Sequence, residues 1–193
     1  MELAIEICAV LAFSAIKNGD KVGLVLFTDE IEKVIPPKKG RLHVLRLIRE
    51  LLTTEPGGNG TDISEALSYI NRLLNRRAII ILASDFQDNQ YDRQLKITNR
   101  KHDLVNIFIN DKLEDNLPDL GLIPLKDAET GEEILVDTSS EKVRNEYRKK
   151  RRQQKEELRN QSLRRKIDMI EVETNASYIR PLIAFFRRRM HRY

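Results

Sequence analysis

The sequence predicts an α/β fold: a doubly wound, mostly parallel sheet with helices on both faces and one antiparallel hairpin at its edge. Three observations predict it. Short apolar runs, VGLVLF (22–27), AIIILAS (78–84) and LVNIFIN (104–110), read as strands, and VGLVLF has the character of one covered on both faces. Segments with apolar residues at three- and four-residue spacing alternate with them, as helices do between parallel strands. VGLVLF is also followed by IEKVI after only Thr28-Asp29-Glu30, which leaves room for a hairpin and none for a crossover.

The elements follow in order. Residues 2 to 17 form a helix, apolar around most of its circumference and ended by Asn18-Gly19-Asp20. Lys33 and the pair Pro36-Pro37 suit an edge strand over Ile31 to Ile35, where a lost donor does little harm. Residues 41 to 54 place Leu42, Leu45, Ile48 and Leu52 on one helical face, widened by Val44, Leu47 and Leu51. After the loop EPGGNG, a helix from Asp62 to about Asn75 turns Ile63, Ala66, Leu67, Ile70 and Leu74 inward. The run at 78–84 is the strongest strand signal, and a helix from Asn89 to about Lys101 leads to the strand at 104–110.

Beyond Asp111, LPDLGLIPLKDAETGEEILVD reads as two short strands about a Glu-Thr-Gly turn. Residues 140 to 166 form a long polar helix whose apolar anchors are Val143, Tyr147, Leu158 and Leu163. A strand at 168–174 and a helix from Tyr178 to Arg189 close the chain, the helix carrying Ile179, Leu182, Ile183, Phe185 and Phe186. No internal repeat or long linker divides the chain, so residues 1–193 are expected to be one domain.

Composition narrows the function classes. With 40% hydrophobic and 33% charged residues the chain reads as a soluble globular protein. Its single cysteine, Cys8, excludes an internal disulfide, suits a reducing cytoplasm and reads as a buried, inert thiol. LAIEICAVLAFSAI is too short to cross a bilayer and contains Glu6, so it reads as a buried helix. The net charge of +4 concentrates in residues 142–166 and in the closing FFRRRMHRY. His43, His102 and His191 are all distant in sequence from Ser84 and Cys8. The chain has no nucleophile-elbow motif, and GGNGTD lacks the lysine of a phosphate-binding loop. An enzyme is therefore not expected.

Ligands gather at the carboxyl ends of strands in such sheets, where two residues stand out. Thr61, in GGNGTD, precedes a better helix cap: Asp62 can accept from the first turn, with Glu65 as reciprocal acceptor of a capping box. That leaves the Thr61 hydroxyl free. Asp85 follows the strongest strand, and Asp88 is better placed to cap the next helix, so Asp85 has no evident structural duty. A hydroxyl and a carboxylate are hard oxygen ligands suited to Mg²⁺ or Mn²⁺.

The runs ELAIEICAVLAFSAIKNGDKVGLVLFTDEIEKVIPPKKGRLHVLRLIRELL, GTDISEAL, ASDF and YIRPLIAFFRRR resemble the bacterial family called domain of unknown function 58, over essentially the whole chain. The resemblance implies a von Willebrand factor type A-like, Rossmann-like domain with a metal-ion-dependent adhesion site. Such a site takes an Asp-x-Ser-x-Ser motif after the first strand, a Thr from a second loop and an Asp from a third. Thr61 in GTDI matches the second element and Asp85 in ASDF the third. No Asp-x-Ser-x-Ser occurs here, and the chain starts at the helix that follows the first strand in the family.

The resemblance thus implies an N-terminally truncated domain whose missing central strand would lie between VGLVLF and AIIILAS. Either those strands pair directly, or a partner chain fills the gap, or the protein folds poorly. Two ligands alone imply weak or absent Mg²⁺ binding. The family also implies a non-enzymatic interaction module working with a MoxR-type AAA+ ATPase in protein assembly or maturation. The competing expectation is nucleic-acid or anionic-membrane binding through residues 142–166 and the C-terminal tail.

Overall fold

The computed structural model describes residues 2–58, 60–88, 90–111, 115–126 and 133–190. The elements run α1 (Glu2–Lys17), β1 (Val22–Phe27), β2 (Ile31–Lys38), α2 (Arg41–Thr53), α3 (Ile63–Leu73), β3 (Ile79–Ser84), α4 (Asp92–Lys101), β4 (Asp103–Asn110), β5 (Leu122–Lys126), β6 (Glu133–Asp137), α5 (Glu141–Arg164), β7 (Asp168–Glu173) and α6 (Ile179–Met190). Each element expected from the sequence is present. The Glu-Thr-Gly turn and His191 lie outside the described residues. The architecture is α/β, with a parallel sheet in the order β3-β4-β7 and antiparallel pairs β1-β2 and β5-β6. The chain forms two compact units, residues 1–107 and 108–193. No described helix is long and apolar enough to cross a membrane.

In the first unit, α1 stops in a Schellman motif. The Asp20 amide reaches the Ala15 carbonyl at 3.1 Å, the Gly19 amide reaches Ile16 at 3.0 Å, and Gly19 takes a φ of 76°. Cys8 is half-buried and not the fully buried residue expected, yet desolvation of its thiol pushes it up to about 11, so it stays protonated at neutral pH. The hairpin pairs Val25 with Val34 and Leu24 with Ile35, with an irregularity between Val22 and Leu24. Gly23 sits at that irregularity because a Cβ there would lie 3.0 Å from the Ile35 carbonyl and from the Pro37 ring. The edge strand β2 therefore continues through Pro36-Pro37 and ends at Lys38, three residues beyond the expected Ile35.

Helix α2 faces the core with a different stripe from the one expected. Val44 and Leu47 are buried with Ala12 and Ile35, and Phe13, Ile16, Leu24 and Ile48 pack around them. Leu42 and Leu52 are instead 83% and 65% exposed, and Leu45 44%. The apolar positions cover too much of the circumference for periodicity to choose between two faces, and packing against α1 chooses.

The two-sided cover expected of VGLVLF fails for β1, while burial is near complete in β4 and alternates in β3. Leu104, Val105, Ile107 and Phe108 of β4 are all buried. Strand β3 buries Ile80 and Leu82 but leaves Ile79 67% and Ile81 38% exposed, and no residue of β1 is fully buried. The cause is the break between them. β1 pairs with β2 and β3 with β4, but among the described residues β1 and β3 do not pair with each other. Direct pairing across the gap is thereby excluded for these strands.

His102, at the end of α4, is fully buried, and its Nδ1 accepts the Ala78 amide at 3.3 Å. Burial, then the nearby charges of Lys101 and Arg77, lower its pKa below the ordinary 6.5.

In the second unit, α5 buries Leu158 and Ser162, one turn apart, so Leu163 swings out and is 77% exposed. It is not the anchor the sequence suggested. Helix α6 buries Leu182 and Phe185 and exposes Ile179, Ile183 and Phe186.

Two measurements check this packing. Ile80→Ala is expected to lower the unfolding free energy by about 2–5 kcal/mol in urea, whereas Ile79→Ser should stay within about 0.5 kcal/mol. For His102 the unfolded chain binds the proton more readily than the folded one. Its neutral form is accommodated fully above pH 6.5. Stability should then fall with pH between 6.5 and the lower folded value, by at most about 1.4 kcal/mol per pH unit. His102→Gln should flatten that slope in thermal melts.

Candidate functional site

The rim at the carboxyl end of β3 is built from three loops of the first unit. One is the β1–β2 turn, Thr28-Asp29-Glu30. The second runs from Glu55 to Asp62, and the third from Asp85 to Tyr91.

Glu32 clasps the first two together. Its Oε1 accepts the Thr28 hydroxyl at 2.7 Å and the Gly57 and Gly58 amides at 2.9 and 3.1 Å. These bonds, the Thr28 hydroxyl first and then the Gly58 and Gly57 amides, lower the Glu32 pKa. The clasp is therefore charged at neutral pH. The stability it adds is present above the ordinary glutamate value and is lost as acid protonates it. Gly58 has no room for a side chain, since a Cβ would overlap the Asp29 carboxylate and the Thr28 hydroxyl. The Asp62 amide donates to the Thr28 carbonyl at 2.8 Å.

Asp62 caps α3 as expected, its Oδ1 accepting the Glu65 amide at 2.7 Å. The reciprocal half of the capping box does not form. Glu65 pairs with Arg72 at 2.8 Å, and the Asp62 amide is already committed to Thr28. Asp88 departs from expectation more usefully. Its Oδ2 accepts the Ile63 amide at 2.9 Å, so it caps α3 and not α4, whose N-cap is Tyr91 without a side-chain bond. That bond, with Ser64 Oγ donating to the Gln90 carbonyl at 3.2 Å, ties the second loop to the third.

Thr61 and Asp85 therefore lie on adjoining loops, two and three residues from the ends of one hydrogen bond. Both are exposed, and neither caps a helix. Asp85 is less idle than the sequence suggested, because its Oδ1 accepts the Gln87 amide at 3.2 Å. Toward Mg²⁺ or Mn²⁺, Thr61 offers one hydroxyl and Asp85 one carboxylate, where Mg²⁺ takes about six ligands. Among the described residues no three His, Cys, Asp or Glu side chains converge as metal ligands.

Residues 1–157 match the family model described as protein of unknown function DUF58. The chain belongs to the DUF58 family. An uncharacterised protein of Mycobacterium tuberculosis is 27% identical over 133 residues, 67% of this chain and 42% of that protein. One from Mycobacterium avium is 32% identical over 100 residues, 50% of this chain and 59% of that protein. The chain thus spans less than two thirds of the length of either relative. The crystal structure of a conserved hypothetical protein, BatB from Bacteroides thetaiotaomicron, is similar in fold, with a TM-score of 0.51 at 15% identity over 98% of this chain and 89% of that one.

The basic helix of this DUF58 chain uses much of its charge internally. Arg144 donates to the Thr138 and Ser139 carbonyls at 2.6 and 2.8 Å, and Arg148 to Asn116 at 2.8 Å. Lys155 pairs with Asp115, and Arg159 with both oxygens of Glu171. These residues recur at turn spacing along one face. Lys142, Lys149 and Lys150 face solvent.

Sequence reasoning missed Glu32 and Asp29 and assigned Asp88 to the wrong helix. Glu32 lies 25 and 26 residues from the amides it binds, and strand alternation gives no sign of such a contact. The Gly57-Gly58 pair is the one local signal that could have found the close approach. Gly58→Ala is expected to destabilise the fold by about 1–3 kcal/mol in denaturant titrations. Adding Asp29→Gly should restore part of that loss, because the overlapping carboxylate is then gone.

Proposed function

We propose that this chain is a non-enzymatic protein-interaction module built on the remnant of a metal-ion-dependent adhesion site, and that it works in the cytoplasm with a MoxR-type AAA+ ATPase in the assembly or maturation of other proteins. The observation that carries the reading is the joint exposure of Thr61 and Asp85 on two loops locked together by Asp88, with the capping duties held by other residues. A hydroxyl and a carboxylate released in this way are available to a partner. The membership in DUF58 supports the same reading.

Thr61 and Asp85 by themselves supply one hydroxyl and one carboxylate, so we take these two residues to bind Mg²⁺ or Mn²⁺ weakly or not at all without further ligands. The break between β1 and β3 is the place for a completing strand. An extended segment there would pair with free strand edges and cover Ile79 and Ile81, as in recognition by strand addition. A segment carrying further hydroxyl and carboxylate groups would add the oxygens that Thr61 and Asp85 lack.

The test is a binding titration with a MoxR-type ATPase from the same genome. Thr61→Ala and Asp85→Ala are expected to weaken binding at least tenfold at constant salt, while raising the salt to about 0.5 M should change it by less than threefold. Binding that ignores both substitutions and collapses with salt would sink the proposal. That outcome would favour the competing basic surface of residues 142–166, with nucleic acid or anionic lipid as its ligand.

A further inference from the structure

The second unit holds a cleft of about 230 Å³ between the C-terminal half of α5, the start of β7 and the last turns of α6. Its volume is that of about eight waters, enough for an amino-acid-sized group. The floor is apolar, with Ile167 and Phe185 each 4% exposed and Met169 beside them.

The walls are charged and partly preset. Arg159 is held by both oxygens of Glu171. Arg189 lies 3.7 Å from Asp168, with its guanidinium 5.5 Å from the centre of the Phe185 ring. Those pairings fix two guanidinium groups and neutralise them. Arg188 lines the same cleft, is exposed, and has no acidic partner among the described residues. Ser162 also lines it. This residue is 3% exposed, and its hydroxyl has no hydrogen-bond partner among the described residues. A buried hydroxyl without a partner is disfavoured, and a ligand acceptor would satisfy it.

The charges decide the class of ligand. Three arginines face two carboxylates, which leaves one positive charge in excess. A phosphate dianion would exceed that charge and meet Glu171 and Asp168 at close range. A single carboxylate matches it. The apolar floor asks for a hydrocarbon group on the same ligand.

We propose that this cleft binds one carboxylate joined to an apolar side chain, with Arg188 supplying the unneutralised charge, Ser162 a hydroxyl donor, and Phe185 and Met169 the apolar contact. That chemistry belongs both to a free N-acylated hydrophobic amino acid and to a peptide C terminus ending in such a residue. The proposal is independent of the Thr61 and Asp85 rim.

Amide resonances of the full chain are followed while N-acetyl-leucine, N-acetyl-leucinamide, the peptide Gly-Gly-Gly-Leu or inorganic phosphate is added. N-acetyl-leucine is expected to give saturable shifts confined to residues 159–171 and 185–189. The neutral amide should bind at least tenfold more weakly. Arg188→Gln, at an exposed position, should weaken binding tenfold with an unchanged melting curve, and Ser162→Ala by a smaller factor. Tighter binding of the peptide than of N-acetyl-leucine assigns a chain terminus, and the reverse order a small molecule. Equal binding of the amide, tighter binding of phosphate, no effect of Arg188→Gln, or no shift up to about 50 mM, far above the roughly 1 mM upper end of ordinary substrate levels, overturns the proposal.

Discussion

One backbone hydrogen bond sets the geometry of the rim: the Asp62 amide on the Thr28 carbonyl, at 2.8 Å. Among the described residues the β1–β2 hairpin has no ladder to β3, so its turn does not take its position from that sheet. It takes it from this bond and from the Glu32 clasp on Gly57 and Gly58. The same residue, Asp62, offers its carboxylate to the Glu65 amide, so the cap of α3 and the anchor of the hairpin turn share one residue. Asp88 then fastens the loop after β3 to the same helix start. Three loops far apart in sequence are thus fixed about a single helix N-terminus. Its first amides point at carboxylates and complement the positive end of the helix dipole.

The second unit reaches order by a different route. Helix α5 has few apolar contacts, with Leu158 and Ser162 its buried residues. Charged and polar bonds along its inner face do the rest, from Arg144 on the Thr138 carbonyl to Arg159 on Glu171. Exposed ion pairs of this kind each contribute little, about 0–1 kcal/mol, but several in a row fix the helix in one rotation. The outward charge available to a polyanion is correspondingly smaller than a count of lysines and arginines suggests.

Much of the fold was legible in the sequence because its signals are local. VGLVLF, AIIILAS and LVNIFIN mark strands by composition alone, and Asn18-Gly19-Asp20 ends α1 through φ freedom at one glycine. What periodicity could not rank was the choice of face. Leu42, Leu45 and Leu52 form as good a stripe as Val44 and Leu47, and only contact with α1 separates them. Leu163 failed for a similar reason, since the buried face of α5 runs through Leu158 and Ser162 and leaves Leu163 outside it. At the rim, the cap at Asp62 was readable from cap logic. The same logic misassigned Asp88, which caps α3 and not α4, and so gave no sound ground for an idle Asp85. Glu32 and Asp29 were not readable, because their contacts join segments some 25 residues apart, and nothing in either segment names its partner.

The break between β1 and β3 bears on how the chain behaves at high concentration. Among the described residues two strand edges have no strand neighbour, and such edges, one of them on the strand carrying Ile79 and Ile81, can template a like edge on another molecule. A net charge of +4 and 33% charged residues hold molecules apart only while their fields extend through the solvent. At physiological salt those fields fade within about 8 Å. Colloidal stability of the isolated chain is therefore greatest in dilute buffer and declines as electrolyte is added.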